Sequence, residues 1–552
     1  MGECTYLGVI ESGTRERIKG PGLASAGLPA RTPALPRDIG PTLSSLPALQ
    51  ASKETPMRLR FTFLAALAVA SAGTIPQRRD ADPGDDTCPN EGFPPPIAAH
   101  AGIYTSCANA NWPPPGPGNP VGSVLKPQMP DAELQAALAE VSAESIKANI
   151  AKLVSFGTRH TLSEQNSTTR GVGAARDWIA SEFRRFAEQS GGRMEVSVPG
   201  YIQQPATRVP EPVLISNVQA TLRGTSDPAR HYVTMGHYDS RVSDPLNWRD
   251  DAPGANDDAS GVAVALELAR IMSRRAHRAT VVIAAVAGEE QGLLGAQFMA
   301  RTFRNASVNV EGVLNVDLVG SSTGSRGERE PNTVRLFCQG PPLTESAAER
   351  ATRLQIGGEN DSPARSMGRF VAEVAANRFT DMRVAIIYRL DRFLRGGDHR
   401  PFLEAGYAAS VRFTEPNENY DHQHQDVRVE NGVQYGDLEQ FLDYDYIARV
   451  ARVDLAAMWS LANAPGTVRD VKVDASDLGN DTTLFWTVSD SPDLAGYEIV
   501  WRPTDAPLWT HSLFVGKVGR ATVQLSIDNV IFGVRSVGTN GYKSPATIPF
   551  PG

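Results

Sequence analysis

Residues 282–294, VIAAVAGEEQGLL, constrain this chain more than any other stretch. An apolar run of this length reads as a buried strand, and it ends abruptly at Gly288 before two adjacent carboxylates, Glu289 and Glu290. An unpaired ionised carboxylate in apolar surroundings is costly or shifts its pKa, so a pair placed there points to a cleft, a cation or a metal. Partners for those charges are expected elsewhere in the sequence.

The surrounding pattern supplies them a scaffold. From residue 231 onward apolar strands alternate with helical stretches: strands are expected at 231–236, 280–286, 312–316, 334–338, 384–388 and 408–413, and helices at 261–275, 293–303, 365–379 and 432–461. Two further helical stretches, 132–156 and 171–189, precede them. Such alternation predicts an α/β domain with a doubly wound, mostly parallel sheet, whose ligands gather at the carboxyl ends of the strands. The catalytic domain is placed at 131–464. After Ala464-Pro465-Gly466 the texture changes to short alternating segments with turn residues about every ten positions, which predicts a small all-β sandwich over 465–552. Trp486, the strand around Tyr497 and Trp501, and the closing Gly541-Tyr542-Lys543-Ser544 make this part resemble a fibronectin type III-like module.

At 552 residues the chain exceeds one core. Its net charge of −8 and the lack of a Lys/Arg-rich run argue against nucleic acid as a partner. Met57-Arg58-Leu59-Arg60 followed by FTFLAALAVASAG has the basic flank, short apolar stretch and Ala70-Ser71-Ala72 pattern of a secretory signal peptide over 57–72. The apolar stretch is too short for a membrane span, which takes ~20 residues. Residues 1–56 then read as mis-called upstream sequence, and the Pro/Gly-rich 73–130 as a prosegment or linker. The expected location is secreted or periplasmic. Export suits a disulfide between Cys88 and Cys107, which bracket a segment poor in apolar residues, whereas Cys338 lies in the apolar run 333–339 and reads as a small buried hydrophobe.

Metal-ligand side chains recur at the predicted strand ends. His237 and Asp239 follow the first strand two residues apart, and a carboxylate beside a ligating His can fix its tautomer and raise its basicity. Glu289 and Glu290 follow the second, and Asp317 follows the third. Between the first two lies PGANDDASG at 253–261, a turn feeding a helix, where Asp257 and Asp258 are either helix-capping groups or a bridge between cations. A last block, YDHQHQD at 420–426, carries two histidines.

In this order, these blocks resemble the secreted two-zinc aminopeptidases, over roughly residues 130–462. The resemblance implies that His237 and Asp317 bind one zinc, Glu290 and His422 the other, that Asp257 bridges both, and that Glu289 is the catalytic base with Asp239 supporting His237. His422 is preferred to His424 because the family places its ligand four residues before an Asp, here Asp426. A Tyr that some members use to steady the oxyanion has no match; Arg395 or His399 could substitute, while Asp398 reads equally as a helix cap. The polar loop 241–251, with Trp248, is placed to shape specificity.

Two zinc ions sharing a water would acidify it and stabilise the tetrahedral oxyanion of an amide under attack, and Glu289 would take the proton and pass it to the leaving amine. The expected function is an exported zinc aminopeptidase acting on peptides or proteins, with the C-terminal module as a cell-surface or polymer docking accessory. A carboxypeptidase or other amide hydrolase on the same scaffold, one that cyclises N-terminal glutamine among them, is the alternative enzyme; a catalytically silent binding protein is the alternative outside enzymes.

Overall fold

A computed structural model describes residues 121–552 except 477–478. The predicted leader, the upstream segment, most of the prosegment and the proposed pair Cys88 and Cys107 lie outside the described residues.

All residues of the strand Ala279–Val286 are buried, and its side chains alternate between two cores as the pleat demands. Val281, Ile283 and Ala285 join the larger core, which holds residues of the helices Ala259–Met272 and Tyr444–Asn463. Val282, Ala284 and Val286 join a second core with Met299 and Ala300 of the helix Leu294–Asn305 and with Phe402. Helices therefore cover both faces of the sheet.

That sheet has eight strands in the spatial order Arg383–Ile387, Thr333–Cys338, Ser410–Thr414, Asn309–Val316, Asp227–His237, Ala279–Val286, Val218–Leu222 and Met194–Ser197. The four strands from Ser410–Thr414 to Ala279–Val286 are parallel. Beyond them Val218–Leu222, Met194–Ser197 and Thr333–Cys338 join antiparallel, while the edge strand Arg383–Ile387 pairs parallel with Thr333–Cys338. The sheet is thus mixed, with parallel pairing at its centre and again at the Arg383–Ile387 edge, so the expectation of a mostly parallel sheet holds by a narrow margin, four pairings to three. The physical reason is connection length, since parallel neighbours need a long crossover and the 194–237 segment contains only short links and the hairpin Gly200–Gln203 with Val213–Ser216.

Two helix expectations change. Residues 132–156 form two helices, Ala132–Ala139 and Ala143–Val154, because Ser142 adopts an extended conformation and its hydroxyl caps the second at Ser145 N. Residues 432–461 are not one helix: Val433–Tyr435 pairs with Arg428–Glu430 in a hairpin, and the helix begins only at Tyr444, capped by Asp443. Asn431, Gly432 and Gly436 all have positive φ there, a conformation incompatible with a helix.

Residues 465–552 contribute strands to two four-stranded sheets around Leu484, Trp486, Tyr497, Ile499, Trp501, Phe532 and Val534. The short strand Ser123–Val124 completes one of them by pairing with His511–Gly516. Buried ion pairs join this region to the α/β part: Asp361 meets both Arg369 and Arg502 at 2.8 Å, and Arg535 lies 2.7 Å from Glu373 and 2.6 Å from Glu498. Trp459 Nε1 also donates to the Tyr542 hydroxyl at 3.0 Å. No helix among the described residues is long and apolar enough to cross a membrane.

Candidate metal centre at the strand ends

The parallel strands deliver their carboxyl ends to one edge, where His237 closes Asp227–His237, Glu289 and Glu290 follow Ala279–Val286, and Asp317 follows Asn309–Val316. The loop 253–258 crosses the same edge and is stitched down from several sides. Buried Arg159 donates to Tyr238 O at 2.8 Å and to Gly254 O at 2.9 Å. Asp437 accepts the amides of Asn256 and Asp257 at 2.8 and 2.7 Å. Asp258 caps the helix at Gly261 N (2.8 Å) and also accepts the His237 amide at 3.0 Å. Gly261 is required by this close approach, since a Cβ there would fall 2.1 Å from Val316 O.

His237 is buried and its Nδ1 lies 3.0 Å from the main-chain oxygen of Asp239. A carbonyl only accepts, so Nδ1 carries the hydrogen and Nε2 points inward. Nε2 is buried without a hydrogen-bond partner, 3.1 Å from Asp257 Oδ1 and 3.8 Å from Asp317 Oδ1. On the other side, His424 Nε2 is 2.8 Å from both Asp257 Oδ2 and Glu290 Oε1. Asp257 therefore presents one oxygen to each histidine. Asp258 also lies close enough to His237 and Asp317 to share a cation, but its oxygens are engaged by main-chain amides, which leaves Asp257 as the better donor.

Asp239 does more than expected of a partner to His237. Its carboxylate oxygens accept the amides of Glu289 and Glu290 at 3.1 Å each, and the Thr161 hydroxyl at 2.9 Å. It thereby fixes the glutamate turn, while its main-chain carbonyl orients His237. Asp317 is held by buried Arg412 at 2.9 Å, which Asp391 braces from behind at 2.9 Å.

The expectation for His422 does not fit this geometry. His422 stacks on Phe441 with ring centroids 3.6 Å apart and, among the described residues, makes no hydrogen bond or ion pair with Asp257 or Glu290. His424, in the left-handed region at φ 57°, is the histidine that reaches Asp257 and Glu290. The residue between them, Gln423, donates to Asp257 Oδ2 at 2.9 Å. Of the candidates for steadying an oxyanion, Arg395 lines the cavity whereas His399 is buried with Nε2 2.8 Å from Leu390 O. Asp398 precedes a short helix without capping it, and both its oxygens are buried without a hydrogen-bond partner.

The electrostatics are those of a site short of positive charge. Burial opposes ionisation of Asp257 and Glu290, yet the histidines outweigh it and hold Asp257 well below the usual carboxylate range and Glu290 at about 2. Burial likewise opposes a charged His237, but Asp239 and Asp257 raise its pKa well above the ordinary value. Glu289 behaves oppositely: burial, reinforced by Glu290 and Asp317, pushes its carboxyl well above the usual range. Carboxylates thus crowd both imidazoles, and positive charge is favoured at each. The donor sets, one imidazole nitrogen with carboxylate oxygens on each side of Asp257, are of the nitrogen and oxygen types that zinc accepts. A cavity of about 310 Å³ opens over them, lined by Asp257, Glu289, Glu290, Asp317 and His424 among others.

Sequence reasoning missed Asp437, Gln423 and Arg412. Asp437 lies 180 positions from Asp257, and only tertiary folding brings them together.

Comparison with known proteins agrees with this chemistry. The sequence model of peptidase family M28 matches residues 217–443. A probable zinc metalloprotease of Pyricularia oryzae is 64% identical over 469 residues, covering 83% of this chain and 93% of that protein. Another, from Pyrenophora tritici-repentis, is 61% identical over 462 residues, covering 83% and 95%. Among solved structures, the Legionella pneumophila LapA aminopeptidase is similar at 18% identity with a TM-score of 0.44, covering 60% of this chain and 75% of that one.

Proposed function

The chain belongs to peptidase family M28 and is, by that membership, a zinc metalloprotease, and from this premise we propose that it is an exported exopeptidase that removes residues from peptide N-termini with two zinc ions. His237, Asp257 and Asp317 would hold one ion, and Asp257, Glu290 and His424 the other. The observation that carries this reading is the division of the Asp257 carboxylate, one oxygen toward each imidazole at 3.1 and 2.8 Å. Export rests on the leader pattern at 57–72.

Zinc bound there supplies Lewis acidity and lowers the pKa of its water towards neutrality. The remaining work falls to the chain. Among the described residues no hydrogen bond or ion pair joins Glu289 to either histidine, and its raised pKa suits a group that accepts a proton from water and returns it to the leaving amine. Asp239 holds Glu289 in place through the turn amide.

Replacing Glu289 by Gln is expected to leave the zinc content unchanged while kcat falls by roughly 10²–10⁴-fold, the usual range for a lost general base. Near-normal kcat in E289Q would remove the mechanism. Free-amine peptides should be cleaved and their N-acetylated counterparts spared; the reverse would favour the carboxypeptidase alternative.

A further inference from the structure

The cavity above the glutamate turn is lined by five arginines: Arg208, Arg241, Arg392, Arg395 and Arg400. Four have carboxylates within the protein. Arg241 lies 2.8 Å from Glu290, Arg400 lies 2.8 Å from Glu404, Arg392 lies 3.0 Å from Asp391, and Arg392 and Arg395 are each 3.3 Å from the same oxygen of Glu418. Glu418 also serves Arg335 at 2.9 Å, so one carboxylate is shared by three guanidinium groups. Arg208 differs from the rest: it donates to the main-chain oxygen of Glu290 at 2.8 Å and, among the described residues, has no carboxylate within ion-pair distance.

Arg208 is nonetheless held in place. Ala206 and Val209 exchange amide hydrogen bonds of 2.7 and 3.0 Å, closing a turn with Thr207 and Arg208 at its tip, and Val209 is fully buried beneath it. The tip is thereby fixed against the glutamate turn. Arg395 faces the site from another side, with Nη1 3.4 Å from Gln423 Oε1, whose amide donates to Asp257. Arg208 thus touches the main chain of Glu290 directly, and Arg395 reaches Asp257 through Gln423.

Resting on the two-zinc reading, the charge of Asp257, Glu290 and Asp317 is taken up by metal, and Glu290 no longer needs Arg241. The arginines are then in excess over the carboxylates that remain, and a cleft of that charge concentrates anions. We propose that the site selects substrates bearing a carboxylate within one residue of the scissile bond, gripped by Arg208 together with Arg395. That carboxylate is either the acidic side chain of the terminal residue or the free C-terminus of a very short peptide; the guanidinium fork recognises both alike.

Two peptide pairs separate the sources in the zinc-loaded full chain: Glu-Ala-Ala amide against Gln-Ala-Ala amide, and Ala-Ala with a free C-terminus against Ala-Ala amide. In at least one pair, kcat/KM for the carboxylate member should exceed its neutral partner roughly tenfold or more, mainly through KM, as a charge-assisted contact predicts. R208Q and R395Q should each reduce that ratio several-fold, with R208K restoring part of it. Ratios within twofold in both pairs, or a preference that both Gln variants leave intact, would overturn the proposal. Calorimetric binding of the same peptides to E289Q gives a readout independent of turnover. Absence of zinc-dependent hydrolysis of every peptide would sink the peptidase reading alone. Tighter binding of the carboxylate member would still support the arginine grip, and equal affinity would end it.

Discussion

His277 sits inside the larger core with its imidazole edge against Trp459, ring centroids 4.8 Å apart. Burial, with Arg193 nearby, pushes its pKa down to about 3, whereas an unfolded histidine titrates near 6.5. Between those values the unfolded chain binds the extra proton, so stability rises with pH across that window and is lost on acidification. Urea unfolding should therefore show wild type losing about 2 kcal/mol more than H277Q between pH 7.5 and pH 5; parallel losses would mean that His277 is not held neutral. At this edge of the sheet, the clustered residues legible in the sequence were those attached to strand ends, His237, Asp239, Glu289, Glu290 and Asp317, and Asp257 in the turn that feeds a helix. His424 was not, because spacing to Asp426 cannot report that His422 has Phe441 to stack on, or that a left-handed backbone turns His424 inward.

Elements with a continuous apolar signal were also legible. Ala279–Val286, buried along its whole length, lies one residue from its expected start, and the helix Ala259–Met272 follows a capping aspartate visible in the sequence. Strands such as Met194–Ser197 and Gly200–Gln203 were missed because they are only partly buried and carry no unbroken apolar run. The join between the helix Pro363–Ala375 and the strand Leu494–Pro503 was invisible as well, since it depends on Asp361 bridging Arg369 and Arg502 out of solvent. Removing one member of a buried ion pair leaves uncompensated charge, so D361A should cost about 3–5 kcal/mol in denaturant unfolding. A change below about 1 kcal/mol would place the junction's strength elsewhere, as expected of exposed pairs.

The whole molecule is organised around an edge rather than a surface. Parallel strands at the centre of a mixed sheet send His237, the glutamate turn and Asp317 to one side, and the segments 253–258 and 420–426 close over that side from distant parts of the sequence. The C-terminal sheets share buried ion pairs with the α/β part. The carboxylates of the edge are too many for their own cations, and in the proposed function two zinc ions complete them, the second bound through His424. Zinc measured by elemental analysis after exhaustive dialysis tests this directly. Wild type and H422A should each retain two ions per chain and H424A about one, whereas two ions in H424A with a loss in H422A would contradict the account.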